Sequence, residues 1–263
     1  MSIKAIAIAA TGMSAQQTNL EVISHNIANI NTTGFKRGRA EFTDLLYETM
    51  RAQGVAEQAG GGLIPEGAKL GLGVRLAAIR DVHLQGVLTN TGNSFDVAIN
   101  GPGWFQIAAP DGTMLYTRDG AFNMNEQRQL VTFDGNLVQP QIAIPADTVR
   151  VEITSGGLVM AHSDDGNPPL EIGQLALASF PNEAGLDPIG DNYFRESTAS
   201  GAPVVGVPNT VGFGKLHQGY LEASNVDAVK EITEMIAAQR AYEMNSKVIK
   251  AAEEMSSTVT KGL

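Results

Sequence analysis

The chain has 263 residues, 43% of them hydrophobic, and a mean hydropathy near zero, which allows a substantial core in one or two domains. A net charge of −10 argues against nucleic-acid binding, because a surface that tracks phosphates must be basic. Cysteine is absent, which excludes disulfides and thiolate metal sites and suits a chain that crosses an oxidising compartment.

From the start of the chain the residues repeat every seven positions. Ile6, Met13, Leu20 and Ile27 form one row, Ile3, Ala10, Gln17 and Ser24 a neighbouring one, and Ala9, Gln16, Ile23 and Ile30 a third. Such a repeat predicts a helix built for coiled-coil-like packing. The apolar run AIAIAA after Lys4 is cut short by Thr11 and Gly12, and the heptad continues beyond it, so it reads as retained helix rather than a cleaved signal. In NINTTGF, Asn and Gly34 tolerate the left-handed backbone that ends helices, so the helix should stop near Asn29. The basic cluster Lys36, Arg37, Arg39 reads as a solvated hinge.

EFTDLLYETM has helical spacing at Phe42, Leu45, Leu46 and Met50, predicting about two turns. The glycines at Gly60 to Gly62 and Pro65 then prevent a continuous helix, and 35–72 is expected to be an extended connector. Its Tyr47 to Lys69 portion has two readings, a strap lying over a neighbouring copy or a disordered linker. From Gly73 the period changes to alternation, with turn dipeptides at Asp111-Gly112, Asp119-Gly120, Asp134-Gly135, Gly156-Gly157 and Asp165-Gly166. Residues 73–223 should therefore form an all-β domain. Within it, alternation should turn one of Trp104 and Phe105 into the core. The Gly- and Pro-rich stretch from Gly185 to Gly214 is expected to be a long return segment.

The last stretch is helical again. Ser224 with Asp227 resembles a capping box. Val229, Ile232, Ile236, Met244, Val248, Ala251, Met255 and Val259 recur at helical spacing, with Met235, Ala238, Tyr242, Ile249 and Ala252 as a second row. The expected architecture is thus α+β and multidomain. Terminal helices, 1–34 and 224–263, pair as a coiled-coil-like helical layer bracketing the inserted β domain. A two-helix hairpin buries only one side of each stripe, so the helices should seek further helices from other copies. Ile6, Met13, Leu20, Ile27, Ile236, Met244, Val248 and Met255 are read as that assembly seam.

Chemistry-bearing patterns are weak. His25, His83, His162 and His217 share no metal-ligand spacing. GLGVRL and GPGWFQ lack the third glycine and following helix of a phosphate loop, and there is no nucleophile elbow. No catalytic, cofactor or metal site is expected, and no enzyme.

Two terminal motifs carry a resemblance. SHNIANINTTGFKR, with Asn26, Asn29, Gly34, Phe35 and Lys36, resembles the N-terminal signature of the flagellar rod and hook family of axial proteins. QGYLEASNVDAVKEITEMIAAQRAYEMNSKVI, with Asn225, Gln239, Arg240 and Tyr242, is similar to its C-terminal signature. DVAINGPGWFQIAAPDG and YTRDGAFNMNEQRQLVTFDG resemble its shared β region, so nearly the whole chain is covered; His25 departs from the Ala or Asn expected there. The resemblance implies a subunit of the distal part of the bacterial drive shaft, a hollow helical homopolymer that carries torque from rotor to hook. It also implies export through the flagellar type III apparatus and contacts with other rod and hook subunits. Ring proteins of the periplasm and outer membrane would act as a bushing. A proximal rod subunit, or an exported adhesin on a coiled-coil stalk, are the alternatives.

Overall fold

The computed structural model describes residues 2–51, 66–164 and 168–261. Two long helices mark its ends, α1 over Ser2–Ala28 and α2 over Ala228–Lys261. At about 1.5 Å per residue they extend roughly 40 and 50 Å. Past the end of α1, the Asn29 carbonyl accepts the Thr32 amide at 3.2 Å and Thr32 Oγ1 donates to Asn29 Oδ1 at 3.1 Å, so NINTTGF does close the helix. The start of α2 differs from expectation. Ser224 Oγ accepts the Val226 amide at 3.3 Å, inside a turn, and Asp227 immediately precedes the first helical residue.

The chain divides into two units, which are described separately. The helical unit comprises Met1–Ile27, Gly38–Arg80 and Ala228–Leu263; the β unit comprises Ala28–Arg37 and Asp81–Asp227. The expected connector 35–72 is therefore shared out, its first residues going with the β unit and the remainder with the helices.

In the helical unit, α1 and α2 approach at two places. Asn26 Nδ2 donates to Glu231 Oε2 at 3.0 Å, and a Cβ on Gly12 would come within 2.8 Å of Asn245 Nδ2. Descending α1 from Asn26 to Gly12 corresponds to ascending α2 from Glu231 to Asn245, so the helices run antiparallel. Of residues 41–50, expected as helix, 41–44 and 47–50 are strand instead. Gly38–Asp44 pairs with Val74–Asp81, and Tyr47–Arg51 pairs antiparallel with Ala68–Gly71. The amide of Leu45 donates to the Gly73 carbonyl at 2.8 Å and that of Leu72 to Leu46 at 3.1 Å, joining the pairs into one ribbon. Ladder pairing with a partner segment has overridden a short helical spacing, as tertiary context routinely does. The flanks of the expected strap thus pair with each other, while residues 52–65 lie outside the described residues. Thr11 Oγ1 accepts the Val74 amide at 3.3 Å and Lys4 pairs with Glu48 at 2.7 Å, which fixes the ribbon against α1.

The β unit centres on Trp104–Ala108. Met114–Thr117 pairs along one side of this strand. The other side is shared by Leu137–Gln139, opposite Gln106 to Ala108, and Leu177–Ser179, opposite Trp104 and Phe105. Both faces are covered. Phe105 joins Val97, Ile99, Ile107, Leu130 and Val159 in the main core, while Trp104 packs with Tyr116, Phe180, Leu186 and Phe194 in a second cluster. Alternation sends the two aromatics to opposite faces as expected, but neither reaches solvent because each face has its own core. Part of that cover comes from the expected return segment, which contributes the strands Asp187–Gly190, Tyr193–Arg195 and Val204–Gly206. Of the anticipated turns, Gly112 and Gly135 both adopt φ +84°, and their amides close onto Ala109 and Thr132. Asp165-Gly166 lies outside the described residues. A three-stranded sheet, Thr148–Ile153, Leu158–Ser163 and Leu170–Gln174, completes the unit with two short strand pairs.

Candidate functional site

The chain passes between the two units after Ile27, Arg37, Arg80 and Asp227, and buried polar side chains lie in the stretches 26–36 and 222–231. In the helical unit, Asn26 is fully buried. Its amide accepts the Gly38 N–H at 2.8 Å, donates to the Gly38 carbonyl at 2.9 Å and donates to Glu231. A planar carboxamide matches a backbone N–H and C=O on one residue, so Asn26 acts as a clasp where the ribbon begins.

The β unit holds a second polar cluster, built on Lys36. Its Nζ donates to Glu222 Oε1 at 2.6 Å and to the Leu84 carbonyl at 2.9 Å. Glu222 Oε1 also accepts the Gly86 amide at 2.8 Å, and Oε2 lies 3.5 Å from Arg118 Nη1. Lys36 and Glu222 side chains are each only 1% exposed, and Arg118 5%. Lys36 is not a solvated hinge residue; only Arg39 of the basic cluster is exposed. Burial pulls the lysine below its usual range, and the adjacent Glu222 carboxylate opposes that shift. The guanidinium of Arg118 lies 5.5 Å from the Trp104 ring centroid. His83 stacks edge-on against Trp104 and Phe194, with centroids 5.3 and 5.8 Å away. Burial first, then repulsion from Lys36 and Arg118, lowers its pKa to about 4.

Backbone and amide bonds surround this cluster. Gly34 N–H donates to the Glu222 carbonyl at 2.8 Å, and Arg37 N–H to Asn225 Oδ1 at 2.7 Å. Asn225 Nδ2 donates in turn to the carbonyls of Val82 and Leu84, at 2.8 and 3.0 Å. With the Asn225 N–H donating to the Phe35 carbonyl at 3.5 Å, the signature residues Asn26, Gly34, Phe35, Lys36 and Asn225 all sit in these two knots, while Asn29 closes α1. Gln239 and Arg240 are exposed on α2, and Tyr242 is half-buried.

The expected seam residues fall into two groups. Ile6, Met13, Leu20 and Ile27 are half-buried on α1. On α2, Ile236, Met244, Val248 and Met255 are 45–60% exposed, and Val229 and Ile232 extend the same row. The face of α2 turned inward is the other one, with Glu231, Ala238 and Ala252 buried and Met235, Tyr242, Asn245 and Ile249 half-buried. These positions alternate by four and three along the helix, a legible heptad whose polar members Glu231 and Asn245 are the residues that meet α1. A cleft of about 460 Å³ opens beside them, lined by Ala5, Ile8, Ala9, Gly12, Gly73, Val74, Asn245 and Val248. Glu222, Arg118 and His83 carry no such periodic signal.

Three family models match the chain: the flagella basal body rod protein over residues 6–36, the flagellar hook protein FlgE/F/G D1 domain over 98–161, and the flagellar basal body rod FlgEFG protein C-terminal region over 217–261. The chain is 60% identical to the flagellar basal-body rod protein FlgG of Agrobacterium fabrum over 99% of both chains. It is 51% identical to FlgG of Caulobacter vibrioides over 96% of both, and 34% identical to FlgF of the same organism, again over 96% of both. With matched ends, a matched β region and full-length relatives at this identity, the chain belongs to the flagellar basal-body rod protein family and is a structural subunit of the basal body.

Proposed function

We propose that this rod subunit polymerises into the distal part of the rod, a hollow helical drive shaft in which terminal helices of successive copies pack as a coiled-coil-like layer. The observation that carries the reading is the row Val229, Ile232, Ile236, Met244, Val248 and Met255, left exposed along a single face of α2. An apolar stripe of this length on a lone copy calls for a partner surface. A face on one copy that meets a different face on the next gives an open helical array rather than a closed ring. The ribbon adds Leu46, Tyr47, Met50 and Ile79, each more than half exposed, as further area to cover. Laid over a neighbouring copy, it would stiffen the shaft. Greater identity to FlgG than to FlgF of one organism supports the distal over the proximal position. Other rod and hook subunits, ring proteins acting as a bushing and the flagellar type III export apparatus are the partners this reading brings.

Electron microscopy of concentrated protein should show helical tubes, whereas discrete trimers would indicate a stalked adhesin. Met244→Asp places a charge on the exposed row without touching a single copy's core. The variant should keep the parent's thermal melt and form no tubes; tubes of normal yield would remove Met244 from the seam.

A further inference from the structure

We propose that Lys36 and Glu222 form an ordered latch: residues 222–225 make the seat, residues 33–37 lock onto it, and the seat cannot open while the lock is closed. The latch is a property of one copy and stands apart from any polymer contact.

Its asymmetry follows from the charge count and the bonds. The buried cluster holds two cations, Lys36 and Arg118, around the single buried carboxylate of Glu222. Glu183 lies at its margin, where Oε1 is 3.4 Å from Trp104 Nε1. If residues 33–37 leave, Glu222 keeps Arg118 and the Gly86 amide, and the Ala223 amide keeps the Val87 carbonyl at 2.9 Å. No buried charge is stranded. If residues 222–225 leave instead, Lys36 and Arg118 face each other in a buried site with their carboxylate gone. Gly34 and Arg37 lose their acceptors at the same moment. Leaving buried charges uncompensated is among the costliest events in a folded protein. Opening therefore begins at the segment that follows α1, and the segment that precedes α2 is the last to let go.

His83 reports on the latch, because Lys36 and Arg118 are the charged groups that act on it. Lys36 and Arg118 both oppose its protonation, while a hydrogen bond with the Glu183 backbone favours it. Removing the Lys36 charge should ease proton uptake by the imidazole.

Residue-resolved native-state hydrogen exchange on the full chain tests the order, using the parent, Lys36→Met and Glu222→Gln. In the parent, the Gly34 and Arg37 amides should exchange at least about 10-fold faster than that of Ala223. Because the seat opens only after the lock, Lys36→Met, which destabilises the closed state alone, should speed Gly34, Arg37 and Ala223 alike, by about 100-fold. The His83 midpoint in that variant, followed by NMR, should rise above that of the parent. Glu222→Gln should speed all three amides. The latch is overturned if Ala223 exchanges faster than Gly34 and Arg37 in the parent, if Lys36→Met speeds Gly34 and Arg37 but leaves Ala223 unchanged, or if His83 titrates in Lys36→Met as it does in the parent. Should Glu222→Gln not fold, the parent and Lys36→Met carry the decision by themselves.

Discussion

At Gly34 the backbone takes φ +71°, and a Cβ there would come within 2.8 Å of the Asp119 backbone nitrogen. Both the left-handed conformation and the close approach require glycine at this step of TTGFK. Gly34→Ala should cost about 1–3 kcal/mol, read as a lowered denaturation midpoint with an unchanged slope. His83 makes a pH prediction at the same scale. Its folded pKa of about 4 lies below the ordinary value of 6.5, so the unfolded chain takes up the proton first. Stability from this group is complete above pH 6.5, falls as pH drops toward 4 and then levels off, a loss of roughly 3 kcal/mol at most. Unfolding curves for the parent and His83→Phe should diverge in slope across this window and run parallel above it; identical slopes throughout would mean that His83 titrates in the fold as it does in the unfolded chain.

Among the elements, α1 and α2 are joined by polar residues set in otherwise small and apolar faces. Asn26→Ala would leave the Gly38 N–H and carbonyl and the buried Glu231 without their amide partner. The expected cost is about 2–4 kcal/mol, seen as a lower melting temperature of the helical signal in circular dichroism. A loss below about 0.5 kcal/mol would show that the clasp is dispensable. Both helices were readable in the sequence because a heptad or helical row states its own period, and the end of α1 was readable from Asn29 and Gly34. The β unit announced itself through alternation and Asp-Gly turns, as at Gly112 and Gly135. Ribbon strands 38–51 and 68–81 were not readable, since Phe42, Leu45, Leu46 and Met50 fit a helix and the pairing partner lies beyond a glycine-rich stretch. Lys36 was misread for a related reason. Three neighbouring basic residues look solvated, and nothing local reveals that Glu222 waits for one of them, with Arg118 beside it. Facing heptad rows on α2 were both visible, but periodicity alone does not say which row packs within the copy and which is left for the next.

For the whole molecule, charge and apolar exposure are divided between the units. Acidic and basic residues balance in the helical unit, so the entire net charge of −10 belongs to the β unit. A neutral unit with an exposed apolar row is suited to close packing against its own kind, since no net repulsion opposes it. An acidic unit resists self-association and remains solvated. Among the described residues no helix is long and apolar enough to cross a membrane. On the proposed function, the helical unit polymerises and the β unit faces outward. A cryo-EM map of the assembled form tests that most directly. The side chains of Ile236, Met244, Val248 and Met255 should lie within about 4.5 Å of apolar atoms from another copy, with the β unit on the outside. A map in which these four side chains face solvent in the polymer would contradict the account.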